Sequence, residues 1–239
     1  MPDAGRADHE KYRVAIPPSH EPYPPLPWDC SSATMLNIYF EVRKDVLLDY
    51  LPPEYNRTSP AYCRLSIFDI KDSPSGRFRD AYLGLGGRAG MMSAVFVAVS
   101  ITDNPKVLAA GVRERGFPNT LGNIDFEADQ SHARAVIADE VGPLVEILMP
   151  SLQTIEPGRL AYDHADSILT RDDGGLELVA TPADMRIQSA AICKNSEVTY
   201  PIERDSTWQL LNCRNIISAQ VVRGVRTFAA GQVQAKSSA

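Results

Sequence analysis

With 239 residues, 44% of them hydrophobic and 23% charged, the chain is long enough to bury a sizeable core and too apolar for disorder. Its 30 acidic and 24 basic residues leave a net charge of −6, and no Lys/Arg cluster interleaved with aromatics marks a nucleic-acid surface. No apolar run is long enough to span a membrane, and residues 1–27 lack the basic-then-apolar pattern of a secretory leader, so a cytoplasmic setting with no membrane partner is expected.

The N-terminal stretch runs into PPSHEPYPPLPWDC. Its prolines fix φ and remove backbone donors, which forbids a regular helix or a central strand. Residues 1–27 are therefore expected to form an extended arm, lying over the body or a neighbouring subunit, and 28–239 a single domain. In Met35 to Arg43, MLNIYFEVR, Leu36, Ile38, Phe40 and Val42 alternate with polar neighbours, the period of a half-buried strand. DVLLDYLPPEY predicts a short helix stopped by Pro52-Pro53. Ala61 to Ile70 and Met91 to Thr102 read as strands, and the intervening KDSPSGRFRDAYLGLGGRAG as a glycine-rich loop or hairpin.

Pro105 opens a predicted helix, PKVLAAGVRERG, that Gly116 closes. After the corner GFPNTLG come short segments at close spacing: ARAVIA, LVEILM, LAYDHADSILTR, LELVATPA, MRIQSAAIC and NIISAQVVRGVRTFAAGQV. Asp172-Asp173-Gly174-Gly175 is a turn between two of them. Many short strands with few helices predict a mainly β member of the α+β class. We expect an antiparallel, barrel-like sheet around an internal pocket, with peripheral helices.

Several chemistries are disfavoured by spacing. Cys30, Cys63, Cys193 and Cys213 form no CxxC pair, and the four histidines form no HxH or HxxxH pair, so no metal is expected. GLGGRAG lacks both the P-loop ending and the GxGxxG spacing, and no GxSxG elbow occurs; no cofactor is implied. Charged groups near turns are left: Asp80, and Arg113-Glu114-Arg115 leading into Asn119.

The segment DNPKVLAAGVRERGFPNTLG resembles the central block of acetoacetate decarboxylase-like proteins. Asp103-Asn104, Gly111, Phe117-Pro118 and Leu121-Gly122 match that framework without a gap. MLNIYFEVRKDVLLDYLPPEY and DSTWQLLNCRNIISAQVVRGVRTFAAGQV resemble the family's first strand and its closing helix and strands. The likeness runs from about Pro22 to Val233. It implies a barrel-like sheet around a largely apolar pocket, and a homo-oligomer. In the family's decarboxylases two adjacent lysines follow the aromatic-proline pair, the first forming a Schiff base while the second helps lower its pKa. Asn119 and Thr120 stand at those positions here. Ala33 stands in the region of a substrate-carboxylate arginine, Ser66 at one pocket glutamate and Asp80 at a second, and Gly111-Val112-Arg113 replaces the family's Gly-Arg-Glu.

An amide and a hydroxyl cannot form an iminium. The resemblance then implies a small-molecule enzyme without a Schiff base. Asp80 would be its general acid or base, with Asn119 and Thr120 as hydrogen-bonding groups for a carbonyl or enolate oxygen. Arg113, Arg115, Phe117, Ser66 and Tyr82 would contact the substrate. Dehydration, isomerisation, cyclisation or hydrolysis of a keto, enol or polyketide-like compound would suit this equipment. A non-catalytic binder of a small ligand is one alternative. A lyase with a relocated lysine is another, Lys194 being less out of place than Lys71 or Lys106.

Overall fold

The computed structural model describes residues 3–15, 22–160, 165–182, 185–203 and 205–234. In the first half, β1 (Trp28–Glu41), α1 (Lys44–Tyr50), β2 (Asn56–Arg57), β3 (Tyr62–Ile70), β4 (Phe78–Ala89) and β5 (Met92–Thr102) lead to α2 (Pro105–Arg115) and β6 (Asn119–Leu121). Next come β7 (Asn123–Ala128), β8 (Ala133–Asp139), β9 (Gly142–Met149) and β10 (Gln153–Ile155). The chain continues through β11 (Ala165–Thr170), β12 (Leu176–Thr181), β13 (Met185–Ile192) and β14 (Glu197–Thr199). It closes with α3 (Thr207–Leu210), β15 (Asn215–Phe228) and β16 (Gln232–Val233).

The large sheet has the order β10-β13-β15-β1-β3-β4-β5-β11-β12-β16, with β2 on β4 and β6 on β5. Its pairs are antiparallel except β5 with β11 and β5 with β6. A second sheet, β14-β9-β8-β7, covers part of it. The fold is α+β and mainly β, wrapped around its core but open at β10 and β16 rather than closed into a barrel.

Alternation along the central strands divides the interior in two. Leu36, Ile38 and Phe40, Leu65 and Ile67, and Ala81, Leu83 and Leu85 face one core, shared with the second sheet. On the opposite face, Met35, Phe68, Phe78 and Tyr82 join Trp28, Phe228 and residues of α2. Helix α2 begins and ends as its residue types dictate. The Asn104 side chain accepts from the amides of Lys106 and Val107, Pro105 occupies the first turn, and Gly116 closes the helix at φ 64°.

Segment 71–90, expected as a loop or hairpin, is mostly strand β4. Its glycines mark close approach. A Cβ on Gly84 would meet Val95 Cγ1 at 2.0 Å, and one on Gly86 would meet the Tyr62 ring at 2.3 Å. The first strand begins at Trp28, not Met35. Of the expected arm, residues 3–15 pack on the body: Gly5 N donates to Tyr55 O at 2.8 Å, and Tyr12 lies buried edge-on to Phe96. Residues 16–21 of the arm, and 161–164 of the segment 160–171, lie outside the described residues. No helix among the described residues is long and apolar enough to cross a membrane.

Trp28 ties the start of β1 to the end of β15. It is fully buried, stacks on Phe228 with ring centres 5.1 Å apart, and donates from Nε1 to Pro24 O at 2.9 Å. Trp28→Ala should cost about 3–5 kcal/mol, and Trp28→Phe distinctly less. Urea melts of the two variants check the order.

Candidate active site

Register gathers polar side chains that the chain keeps far apart. Gln220 pairs with Asn37, Asn37 with Ser66, Ser66 with Tyr82, Tyr82 with Ser100, and Ser100 with Asn119. Directly paired residues share a face, so these six form one row across β15, β1, β3, β4, β5 and β6. Ser66 Oγ donates to Asn37 Oδ1 at 2.6 Å.

At the middle of this row a cavity of about 30 Å³ opens beside Tyr82, room for about two waters. Strand β3 contributes Arg64 and Phe68, α2 contributes Arg115 from its last turn, and β15 contributes Arg226. Met35, Ala165, Thr181, Pro182 and Met185 complete the described wall. All three arginines are buried. Each guanidinium lies near an aromatic ring: Arg115 is 3.9 Å from the centre of Phe117 and 4.0 Å from Phe228, Arg226 is 3.7 Å from Phe68, and Arg64 is 5.6 Å from Tyr82.

Asp80 precedes Tyr82 by two residues and faces the same side of β4. It is 1% exposed, and its Oδ2 is 4.0 Å from Arg115 Nη1. Burial pushes its carboxyl up to about 6, against the pull of Arg115 and Arg226. Burial also brings Arg115 down to about 9, with Arg226 adding repulsion, and it lowers Arg226 likewise. Burial alone would raise the Tyr82 phenol. Arg64, Arg226, Ser66 and Arg115 outweigh it and leave the phenol below its usual pKa. Arg64 Nη2 donates to the Tyr82 hydroxyl at 2.7 Å.

The residues expected at the site divide into three groups. Arg115 and Tyr82 line the cavity, while Ser66 and Phe117 support it from behind, Phe117 packing edge-on to Tyr82 at 5.6 Å. Asp80 stands behind Arg115 rather than in the wall. Three residues point elsewhere. Arg113 lines a separate surface groove with Tyr23 and Glu114. Thr120 is exposed, its hydroxyl donating to Ser100 O at 3.3 Å, because the parity of β6 turns it away from the row. Asn119 is buried but turned into α2, and its Oδ1 and Nδ2 have no hydrogen-bond partner among the described residues.

Arg64 and Arg226 are site residues the sequence reading passed over. The signal was a cation at an inward position of an apolar strand, in YCRLSIFDI and NIISAQVVRGVRTF. No lysine lines the cavity among the described residues: Lys71 and Lys194 are exposed, and Lys106 is half-buried at the start of α2. Nor do three His, Cys, Asp or Glu side chains converge as metal ligands among these residues.

The family described as acetoacetate decarboxylase (ADC) matches residues 12–186. Acetoacetate decarboxylase from Legionella pneumophila is similar in structure, with a TM-score of 0.81 and 16% identity over 97% of this chain and 96% of that one. An acetoacetate decarboxylase-like enzyme from Sphingomonas wittichii RW1 has a TM-score of 0.71 and 13% identity, covering 87% of this chain and 92% of its own. The enduracididine biosynthesis enzyme MppR, complexed with pyruvate, has a TM-score of 0.72 and 15% identity over 88% and 91%. Such identities show a shared fold. No curated protein matches the chain.

Asn119 and α2 fit each other only because residue 111 is glycine. A Cβ there would meet Asn119 Nδ2 at 2.1 Å. Gly111→Ala should therefore cost about 1–3 kcal/mol despite alanine's better helix propensity. In an Asn119→Ala background the sign should reverse, with Gly111→Ala stabilising by up to about 1 kcal/mol. Denaturant melts of the four-member cycle measure this.

Proposed function

This chain belongs to the acetoacetate decarboxylase family, and within it we propose an enzyme that moves protons on an oxo or enol acid without forming a Schiff base. The observation that carries this reading is the cavity wall itself, which among the described residues has three guanidinium groups and a phenol but no lysine. An iminium needs a partly neutral amine, whereas guanidinium stays protonated near pH 7. Guanidinium groups instead bind a carboxylate and stabilise an oxyanion as it develops, which lowers the barrier to enolisation.

The proton would pass through Tyr82. It touches the cavity, and the cations around it make its phenolate more accessible than that of a free tyrosine. Deprotonation at the carbon beside a carbonyl would place the proton on the Tyr82 oxygen and the electron pair on the enolate oxygen. Returning that proton to another carbon isomerises the substrate. Loss of a β-hydroxyl from the enolate, which leaves as water with that proton, dehydrates it, and attack on an internal carbonyl, whose oxygen takes up the proton, cyclises it. Asp80 acts here as a positioning residue, holding Arg115 from behind. The MppR structures with pyruvate, and with the condensation product of pyruvate and imidazole 4-carboxaldehyde, favour an oxo acid as the substrate class.

Borohydride reduction of the protein with pyruvate or acetoacetate, followed by intact mass measurement, should give no stoichiometric adduct. An adduct on a lysine would refute the reading. Exchange of the α-protons of 2-oxo acids in D₂O, followed by NMR, should be catalysed by the wild type and slowed by about 100-fold or more in Tyr82→Phe. The exchange rate should rise with pH through about 6 as Asp80 ionises and secures Arg115. Asp80→Asn should lose that inflection while remaining folded.

A further inference from the structure

We infer that Ser66 and Asn37 form a hydrogen-bond switch behind Tyr82, one that serves the phenol and the phenolate in turn. This deepens the function proposed above and rests on it for the proton-carrying role of Tyr82 alone.

A tyrosine that takes up and returns a proton inside a protein needs different partners in its two states. The phenolate needs donors, whereas the neutral hydroxyl carries a proton of its own. Arg64 donates from Nη2 to the Tyr82 oxygen at 2.7 Å, and a guanidinium can only donate, so it serves both states alike. Ser66 is different. It stands directly opposite Tyr82 in the pairing of β3 with β4 and hydrogen-bonds the phenol, and a hydroxyl can turn its proton either way. In the structure that proton goes to Asn37 Oδ1 at 2.6 Å, away from Tyr82. This is the arrangement that suits the neutral phenol.

Asn37 makes the reversal easy. It is fully buried, and its Nδ2 has no hydrogen-bond partner among the described residues. Half a turn about its last torsion, which is broad and two-fold, exchanges nitrogen and oxygen in the same space. Nδ2 then donates to Ser66, and the Ser66 proton is left to point at the phenolate. One hydrogen bond is given up and one is made, and one amide atom stands unpaired in either state. Each atom keeps its own proton throughout; only the hydroxyl and the amide rotate. Ser66 thus answers the charge on Tyr82 as water would, at a place where Asn37, Ser66 and Tyr82 are all buried. Ser66 and Asn37 are positioning residues, since neither belongs to the cavity wall.

Solution NMR of the full chain, labelled at the asparagine side-chain nitrogen and at tyrosine Cζ, tests this without substrate. Tyr82→Phe and Asn37→Leu assign the two signals. As pH rises, the Asn37 amide protons should shift with the same midpoint as Tyr82 Cζ. Ser66→Ala should abolish that shift and strengthen proton binding to Tyr82 by about tenfold, through loss of one donor to a charged oxygen. Ser66→Thr, which keeps the hydroxyl, should retain the shift and the wild-type proton affinity, and it serves as the folded comparison. An Asn37 amide that stays still while Tyr82 ionises would overturn the inference. So would a Tyr82 that never ionises while the chain is folded, or an unchanged Tyr82 proton affinity in Ser66→Ala. The two readings fail separately. A moving amide without catalysed proton exchange removes the proposed function alone, and exchange with a still amide removes this inference alone.

Discussion

Three guanidinium groups have to be kept charged inside a β-sheet, and the architecture around them answers that need. Withdrawing a cation from water costs several kcal/mol. Part of the compensation comes from aromatic faces. Phe68, Phe117 and Phe228 each lie within about 4 Å of a guanidinium carbon. Those rings are themselves fixed: Phe228 by Trp28, Phe117 by Tyr82, and Phe68 by Tyr82 at 5.8 Å. The aromatic residues of this face therefore form a scaffold for positive charge, whereas on the opposite face Tyr12 and Tyr55 pack on Phe96 within the aliphatic core.

Strand β4 is where the two cores are kept apart. Alternate residues send Ala81, Leu83 and Leu85 to one side and Phe78, Asp80 and Tyr82 to the other. A shift of one residue in its pairing with β3 would bury leucines among the arginines and carry the phenol into the aliphatic core. The glycines at 84 and 86 admit side chains from the flanking strands and hold that register through close contact.

Elements with a local cause were legible in the sequence. Helix α2 was readable from Pro105 and Gly116, and the alternation in MLNIYFEVR disclosed most of β1 because one of its faces meets a purely apolar core. Strand β4 was not, since both its faces are filled and its glycines mimic a loop. In the site, Asp80 was reachable through its spacing from Asp103, yet its place behind Arg115 was not, because that depends on where α2 ends against the sheet. Arg64 and Arg226 converge only through the pairing of β15 with β1 and of β1 with β3, contacts that no local pattern encodes. Thr120 follows Asn119 in the chain, but adjacent residues of a strand face opposite ways, so the pair could not act together.

The position of β15 bears on how the protein is made. This strand follows β1, β3 and β13 in the chain and inserts between β13 and β1, so β1 has only one of its two neighbours until β15 has been made. Folding that joins distant parts of a chain is slow and leaves strand edges open in the meantime. Arg64 and Tyr82 emerge early, while Arg226 arrives with the closing strand. The arginine-lined wall is thus completed only when that strand is made. A nascent chain carries the Tyr82 phenol and the Arg64 guanidinium well before Arg226 joins them.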